Sequence, residues 1–402
     1  MTPRRTSAYV AFVVLWALLV NGGLSNPVVE SLVPFYQYTQ TLVAAEAMQG
    51  GKYLAFPITI RLDEREILVG YKRGYSHAFD REATFDLMRL DPVTERVRPL
   101  PPLRRENLNL QNAEFVRFGN GDISCYIDVQ QPGREPGVDE ATRLGLIEFR
   151  SKDNGATFTD MGRVGLVDGV EYGYAFEAIT EGATTWLLAM TFANLPGGQA
   201  IVPARPKAGH VAVLRTDDYG KSWRRVKDLT ATFASPLNES SFMRYKDGFL
   251  FVCRPYADQQ PVVVTDGEFN VVRRVDLIAK YDFIGQGLGR PRVFARDGHV
   301  YILARNTFKP AANLPKREPT SPGQVVNRVK LGLFRLDPEK LVIEKHVILD
   351  NAENQRVASA YYATPYWVTR KGQPYFNVVT YKQITGRMPD IVRFEYDWNE
   401  VK

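Results

Sequence analysis

Six times along this chain an alternating apolar run, a turn and a second apolar run follow one another, starting near Tyr53, Asn112, Tyr174, Asn238, Arg290 and Tyr361. Alternation with a period of two marks a strand with one buried face, and a Lys-Asp-Gly turn such as Lys246–Gly248 closes such runs into a hairpin. The starts lie roughly 50 to 70 residues apart, and most pairs are followed by further strand-like runs, among them Leu144–Arg150, Val211–Thr216, Pro261–Thr265 and Leu331–Leu336. Units of about four strands at that period are the blades of a propeller. The expected fold is therefore all-β, a six-bladed β-propeller formed as one domain by residues 27–402. The helices that a barrel of alternating strands and helices needs are missing from the pattern.

The N-terminal stretch stands apart. Arg4 and Arg5 precede an uncharged run from Ala8 to Val20, followed by Asn21, Gly22, Gly23, Leu24 and Ser25. A basic start, a short apolar core and small residues after it describe a secretory signal peptide over residues 1–26, with an uncleaved N-terminal anchor as the other reading. Both place the folded part outside the cytoplasm, secreted or periplasmic. Any membrane tether would run through this segment alone, and the folded part is expected to be monomeric.

Composition excludes several classes. Two cysteines, Cys125 and Cys253, lie in apolar runs and read as small buried hydrophobes rather than a disulfide framework. A net charge of +6 is too dispersed for a nucleic-acid surface, though it suits an anionic small substrate. Four scattered histidines, His77, His210, His299 and His346, offer no zinc pattern, and no phosphate loop or nucleophile elbow is present. No metal and no cofactor are expected.

Two turns are more specific than the strands. Ser151–Phe158 and Thr216–Trp223 share a hydroxyl, an Asp two residues on, a Gly two further, then a hydroxyl and an aromatic. The Asp can accept turn amides, the Gly can take positive φ and the aromatic can tuck beneath. Both fall between third and fourth strands of consecutive units, and they resemble the Asp-box of the sialidase superfamily. Such boxes sit on the outer rim, so function must come from the centre.

The first strand of each blade lines the central axis. Those openings offer Glu114, Glu177, Glu239, Arg290 with Arg292, and Tyr361 with Tyr362. The stretch Asn238–Arg254, with Glu239 at the start of one strand and Arg254 at the end of the next, resembles the sialidase blade that carries a catalytic Glu and a binding Arg. The resemblance further implies a binding arginine at Arg290 or Arg292 and a nucleophilic tyrosine at Tyr362, or else Tyr361. In the first blade it implies an arginine at Arg73 and an acid aspartate on a loop at Asp80. His77, in the same loop, would share the acid role or contact substrate.

The implied chemistry is coherent. A sialic acid carries a carboxylate at its anomeric carbon, and a carboxylate nucleophile about 4 Å away would meet a repulsion of roughly 4 kcal/mol at an effective dielectric near 20. A tyrosine avoids that repulsion but needs a base such as Glu239, because its free pKa is near 10. Arginines suit the planar carboxylate, and Asp80 would protonate the leaving oxygen in a retaining mechanism. One departure stands out: where the family opens its first blade with Phe-Arg-Ile-Pro, this chain has Leu54-Ala55-Phe56-Pro57, with Ala55 at the arginine's place. The expected function is removal of a terminal acidic sugar from a glycan or glycoconjugate. The alternatives are a glycosidase acting on a different sugar and a propeller that binds glycans without turnover.

Overall fold

The computed structural model describes residues 30–32, 38–48, 52–77, 80, 82–131, 142–192, 209–256, 258–308, 328–351, 357–384 and 387–402. Residues 1–26, read from the sequence as a signal peptide or anchor, lie outside them; among the described residues no helix is long and apolar enough to cross a membrane. Six antiparallel sheets succeed one another as blades, in the order the sequence pattern indicates. Their innermost strands are Tyr53–Arg61, Asn109–Arg117, Tyr174–Glu181, Leu237–Tyr245, Gly287–Arg296 and, in the sixth blade, Val357–Ala360 continued by Thr364–Arg370.

Apolar side chains on both faces of each blade pack against the neighbouring blades. Six buried clusters result; one, for example, joins Phe176 and Leu188 of the third blade to Phe249 and Phe251 of the fourth. Both cysteines are free and buried in such layers. The two repeated turns form the same bonds. Asp153 accepts from Thr157 N at 2.9 Å and Thr157 Oγ1 at 2.6 Å, and Asp218 accepts from Ser222 N at 3.0 Å and Ser222 Oγ at 2.6 Å. Gly155 and Gly220 take φ of 75° and 80°, and Trp223 reaches the preceding blade at Tyr126, with ring centroids 5.9 Å apart.

The ring closes in a way the pattern does not announce. The outermost strand of the sixth blade is Tyr38–Val43, from the chain's beginning, paired antiparallel with Asp390–Asp397, and Glu30–Leu32 adds a parallel fifth strand to the fifth blade.

The innermost strands share an irregularity that shapes the centre. Register shifts occur at Ala55/Ile58, Leu110/Ala113, Ala175/Glu177, Leu237/Ser240 and Gly289/Arg292, and the sixth inner strand is interrupted between Ala360 and Thr364. A bulge turns side chains off the alternating faces of its strand, and Phe56, Arg290 and Tyr361 adopt φ of 54°, 44° and 67° at these points.

One buried group bears on acid stability. His346, 2% exposed, packs against Phe283 and Phe334 at centroid distances of 4.9 and 4.6 Å, and neither ring nitrogen has a hydrogen-bond partner among the described residues. Burial, with Lys330 nearby, pushes its imidazole down to about 4. Below its ordinary 6.5 the unfolded chain takes up a proton that the folded chain refuses, so stability is lost as pH falls from about 6.5 to 4, by about 3 kcal/mol at most. Urea titrations of His346→Leu should show that acid-side loss smaller by about this amount; an unchanged pH dependence would mean that the imidazole is not held neutral.

Candidate active site

At the axis some of the bulged residues, with others from the neighbouring strands, line a cavity of about 140 Å³, among them Phe56, His77, Asn112, Glu239, Arg254 and Tyr362. That volume suits one small ring rather than an extended chain. Glu239 is 3% exposed; Tyr174 donates its hydroxyl to Glu239 Oε1 at 3.1 Å, and Arg254 Nη1 is ion-paired with Glu239 Oε2. The same Arg254 Nη1 lies 3.4 Å from the Tyr362 hydroxyl. Glu239 of the fourth blade and Tyr362 of the sixth therefore meet at the Arg254 guanidinium.

The electrostatics follow from burial and these neighbours. Burial alone would raise the Glu239 carboxyl, but Arg254 and Arg305, with a hydrogen bond from Tyr362, outweigh it and hold it at about 2. Burial and then the Glu239 charge raise the Tyr362 phenol above 10, with Arg305 and Arg254 opposing. His77 keeps solvent-exposed surface, and the protein around its ring, with Lys72 and Arg305 nearby, lowers its imidazole from the ordinary value. At neutral pH the cavity thus holds a carboxylate, a phenol and a neutral imidazole.

Arg305 was missed in the sequence. It lies in the second strand of the fifth blade three residues before its end at Phe308, where Arg254 stands one before the end of that of the fourth, a positional echo that could have flagged it. Its guanidinium lies 4.8 Å from the Tyr362 ring centroid, and its Nε has no hydrogen-bond partner among the described residues. A Cβ on Gly289 would lie 2.8 Å from Arg305 Nε and Nη2, so a glycine is what lets the arginine cross its strand. Arg143 also lines the cavity, paired with Asp128 and 3.9 Å from the Phe192 ring centroid.

Five expected site residues are placed elsewhere. Arg290 and Arg292 both bond Glu114 Oε2 at 2.7 Å, and Arg292 also bonds Glu177 Oε2 at 2.9 Å, so both are held in a buried network across the axis. Tyr361 is fully buried, donates to Asp350 Oδ2 at 2.5 Å and is not among the residues that line the cavity. Arg73 pairs with Asp86 at 2.6 Å. The reason is register: across the bulge Lys72 pairs with Ala55 as Arg305 pairs with Gly289, so Lys72 occupies the inward position and Arg73 the opposite face. Asp80 is 2% exposed beneath the cavity, its Oδ2 2.5 Å from Lys72 Nζ. Ala55 is fully buried, and Phe56 presents its ring to the cavity from the first blade. Among the described residues no group of histidines, cysteines and carboxylates could hold a metal ion.

Neither a protein-family model nor a curated protein matches the sequence. Solved structures do resemble the fold. A protein of unknown function from Dyadobacter fermentans is 13% identical with a TM-score of 0.63, over 90% of this chain and 98% of that one. Trypanosoma rangeli sialidase in complex with sialic acid is 10% identical with a TM-score of 0.58, over 92% of this chain and 60% of that one. Penicillium chrysogenum α-L-arabinanase complexed with arabinobiose is 10% identical with a TM-score of 0.56, over 92% of this chain and all of that one. At such identities the likeness establishes the propeller fold alone.

Proposed function

We propose that this protein is an exported glycoside hydrolase that removes a terminal acidic sugar with retention of configuration. The observation that supports it most is the meeting of the Tyr362 hydroxyl and the Glu239 carboxylate at Arg254, with Arg305 across the tyrosine ring. In this reading the Tyr362 oxygen attacks the anomeric carbon, its proton passes to Glu239, and the bond to the leaving oxygen breaks. Water then attacks the same carbon, the bond to Tyr362 breaks, and the phenol regains its proton. Arg254 and Arg305 hold the sugar's carboxylate in charge-assisted bonds. That carboxylate competes with Glu239 for Arg254, which loosens the hold that keeps Glu239 at about 2 and makes it a better base once substrate is bound.

With Ala55 at the first blade's cation position, the clamp has two arms. With Asp80 outside the cavity lining, Glu239 is the one carboxyl group among the described lining residues, and in this reading it serves Tyr362 rather than the leaving oxygen. General acid assistance is worth about 10²–10⁴-fold, so the enzyme should discriminate by leaving group. An aryl sialoside, whose phenolate leaves without a proton, should turn over about a hundredfold or more faster than sialyllactose. Steady-state kinetics on both, beside aryl glycosides of other sugars, test the reading. Equal rates would show that an acid reaches the leaving oxygen. No turnover on any member would favour a propeller that binds glycans, which calorimetry with sialyllactose would then detect.

A further inference from the structure

Beneath the cavity Lys72 and Asp80 form a closed unit. Both side chains are fully buried, and the three hydrogens of Lys72 Nζ go to Asp80 Oδ2 at 2.5 Å, Ser76 O at 2.8 Å and His77 O at 3.0 Å. Asp80 Oδ1 accepts from Tyr75 N at 2.5 Å and Ser76 N at 2.8 Å, while Gln111 Nε2 approaches its Oδ2 at 3.2 Å. The ammonium has no donor left, and each carboxylate oxygen has two partners. A Cβ on Gly74 would lie 2.6 Å from Asp80 Oδ1, so the chain enters this turn with no room beside the carboxylate. What the turn carries is His77, whose Nδ1 lies 3.1 Å from the Tyr53 hydroxyl and whose ring stands edge-on to Phe56 at 5.0 Å, on the cavity wall.

We propose that Lys72 and Asp80 are positioning residues: by binding both the amides and the carbonyls of residues 75–77, the pair aims the His77 imidazole into the cavity, and Asp80 exchanges no proton with the leaving oxygen. The second clause rests on the glycosidase reading above; the first does not. A carboxylate serving as acid must release and recover a proton beside the substrate. This one would have to break an ion pair and shed two backbone amides to do so. His77 is thereby the group of this loop that meets a ligand.

The side-chain ¹H–¹⁵N spectrum of the full chain tests the clamp. His77 is assigned with His77→Gln, and the other histidines act as internal controls. Asp80→Asn keeps the volume and removes the charge; Lys72→Met/Asp80→Leu removes both charges, leaving no lone buried ion should the single variant fail to fold. In a folded variant the His77 signals should move while those of His210, His299 and His346 stay. Unmoved His77 signals in a folded Lys72→Met/Asp80→Leu protein would overturn the clamp. Kinetics test the second clause. Asp80→Asn should slow an aryl sialoside and sialyllactose by the same factor with an unchanged pH profile. A loss of about 10²-fold or more confined to sialyllactose, with a changed basic limb, would make Asp80 the acid after all. Were the wild type to turn over neither substrate, the glycosidase reading would fail while the spectra still decided the clamp.

Discussion

Tyr362→Phe should lower kcat on an aryl sialoside by about 10³-fold or more, with KM changed by no more than about threefold. The substitution removes one oxygen and keeps the ring, whose packing against Phe56 at a centroid distance of 5.3 Å and beneath Arg305 at 4.8 Å is unaltered. The carboxylate clamp and the aromatic wall therefore survive, and with them ground-state binding. In the proposed reaction what disappears is the attacking atom, so the loss falls on the chemical step. Rapid-quench experiments on the wild type should in addition release the aryl group in a burst, because a covalent intermediate forms before water arrives. A variant that retains most of its turnover would remove Tyr362 from the reaction and send the search for a nucleophile elsewhere in the cavity.

Arg292→Leu should cost about 3–5 kcal/mol of stability, the usual consequence of deleting one partner from a buried ion pair. Arg292 bonds Glu114 at 2.7 Å and Glu177 at 2.9 Å, and Glu177 in turn accepts from Ser241 Oγ at 3.1 Å. Without the guanidinium one carboxylate is left with a serine and the other depends on Arg290 alone. Urea denaturation gives the difference directly, and Arg292→Leu combined with Glu177→Leu should recover part of it, since no lone charge then remains at Glu177. Were Arg292 a substrate ligand instead, the single variant would lose turnover and keep its midpoint.

These two arginines show where sequence reading stops. The six blade openings were legible because apolar alternation is a local property, visible in residues a few positions apart. Glu239, Arg254 and Tyr362 were legible because each stands at a strand terminus, and termini at one end of a ring must converge. The resemblance to sialidases implies a cavity position for Arg290 or Arg292 and for Arg73, yet a one-residue bulge decides whether a side chain points to the cavity, across the axis or to the opposite face. Nothing in single-letter order marks which side of a bulge a residue takes. Arg305 was overlooked for the complementary reason, since it lies a strand away from the Gly-Arg-Pro-Arg run that drew attention. Asp80 shows a further limit: its loop position was read correctly, but its use depends on Lys72, and a long-range partner is invisible in spacing.

The ring's seal has a consequence for how such a chain is made. Tyr38 pairs with Glu395 and Thr41 with Val392, so the last blade is completed by residues from opposite ends of the sequence. A nascent chain can stack its early blades as they emerge, but the strand Tyr38–Val43 has no partner until almost the whole sequence has been synthesised. Until then one sheet edge stays open, and an open edge invites pairing with another molecule.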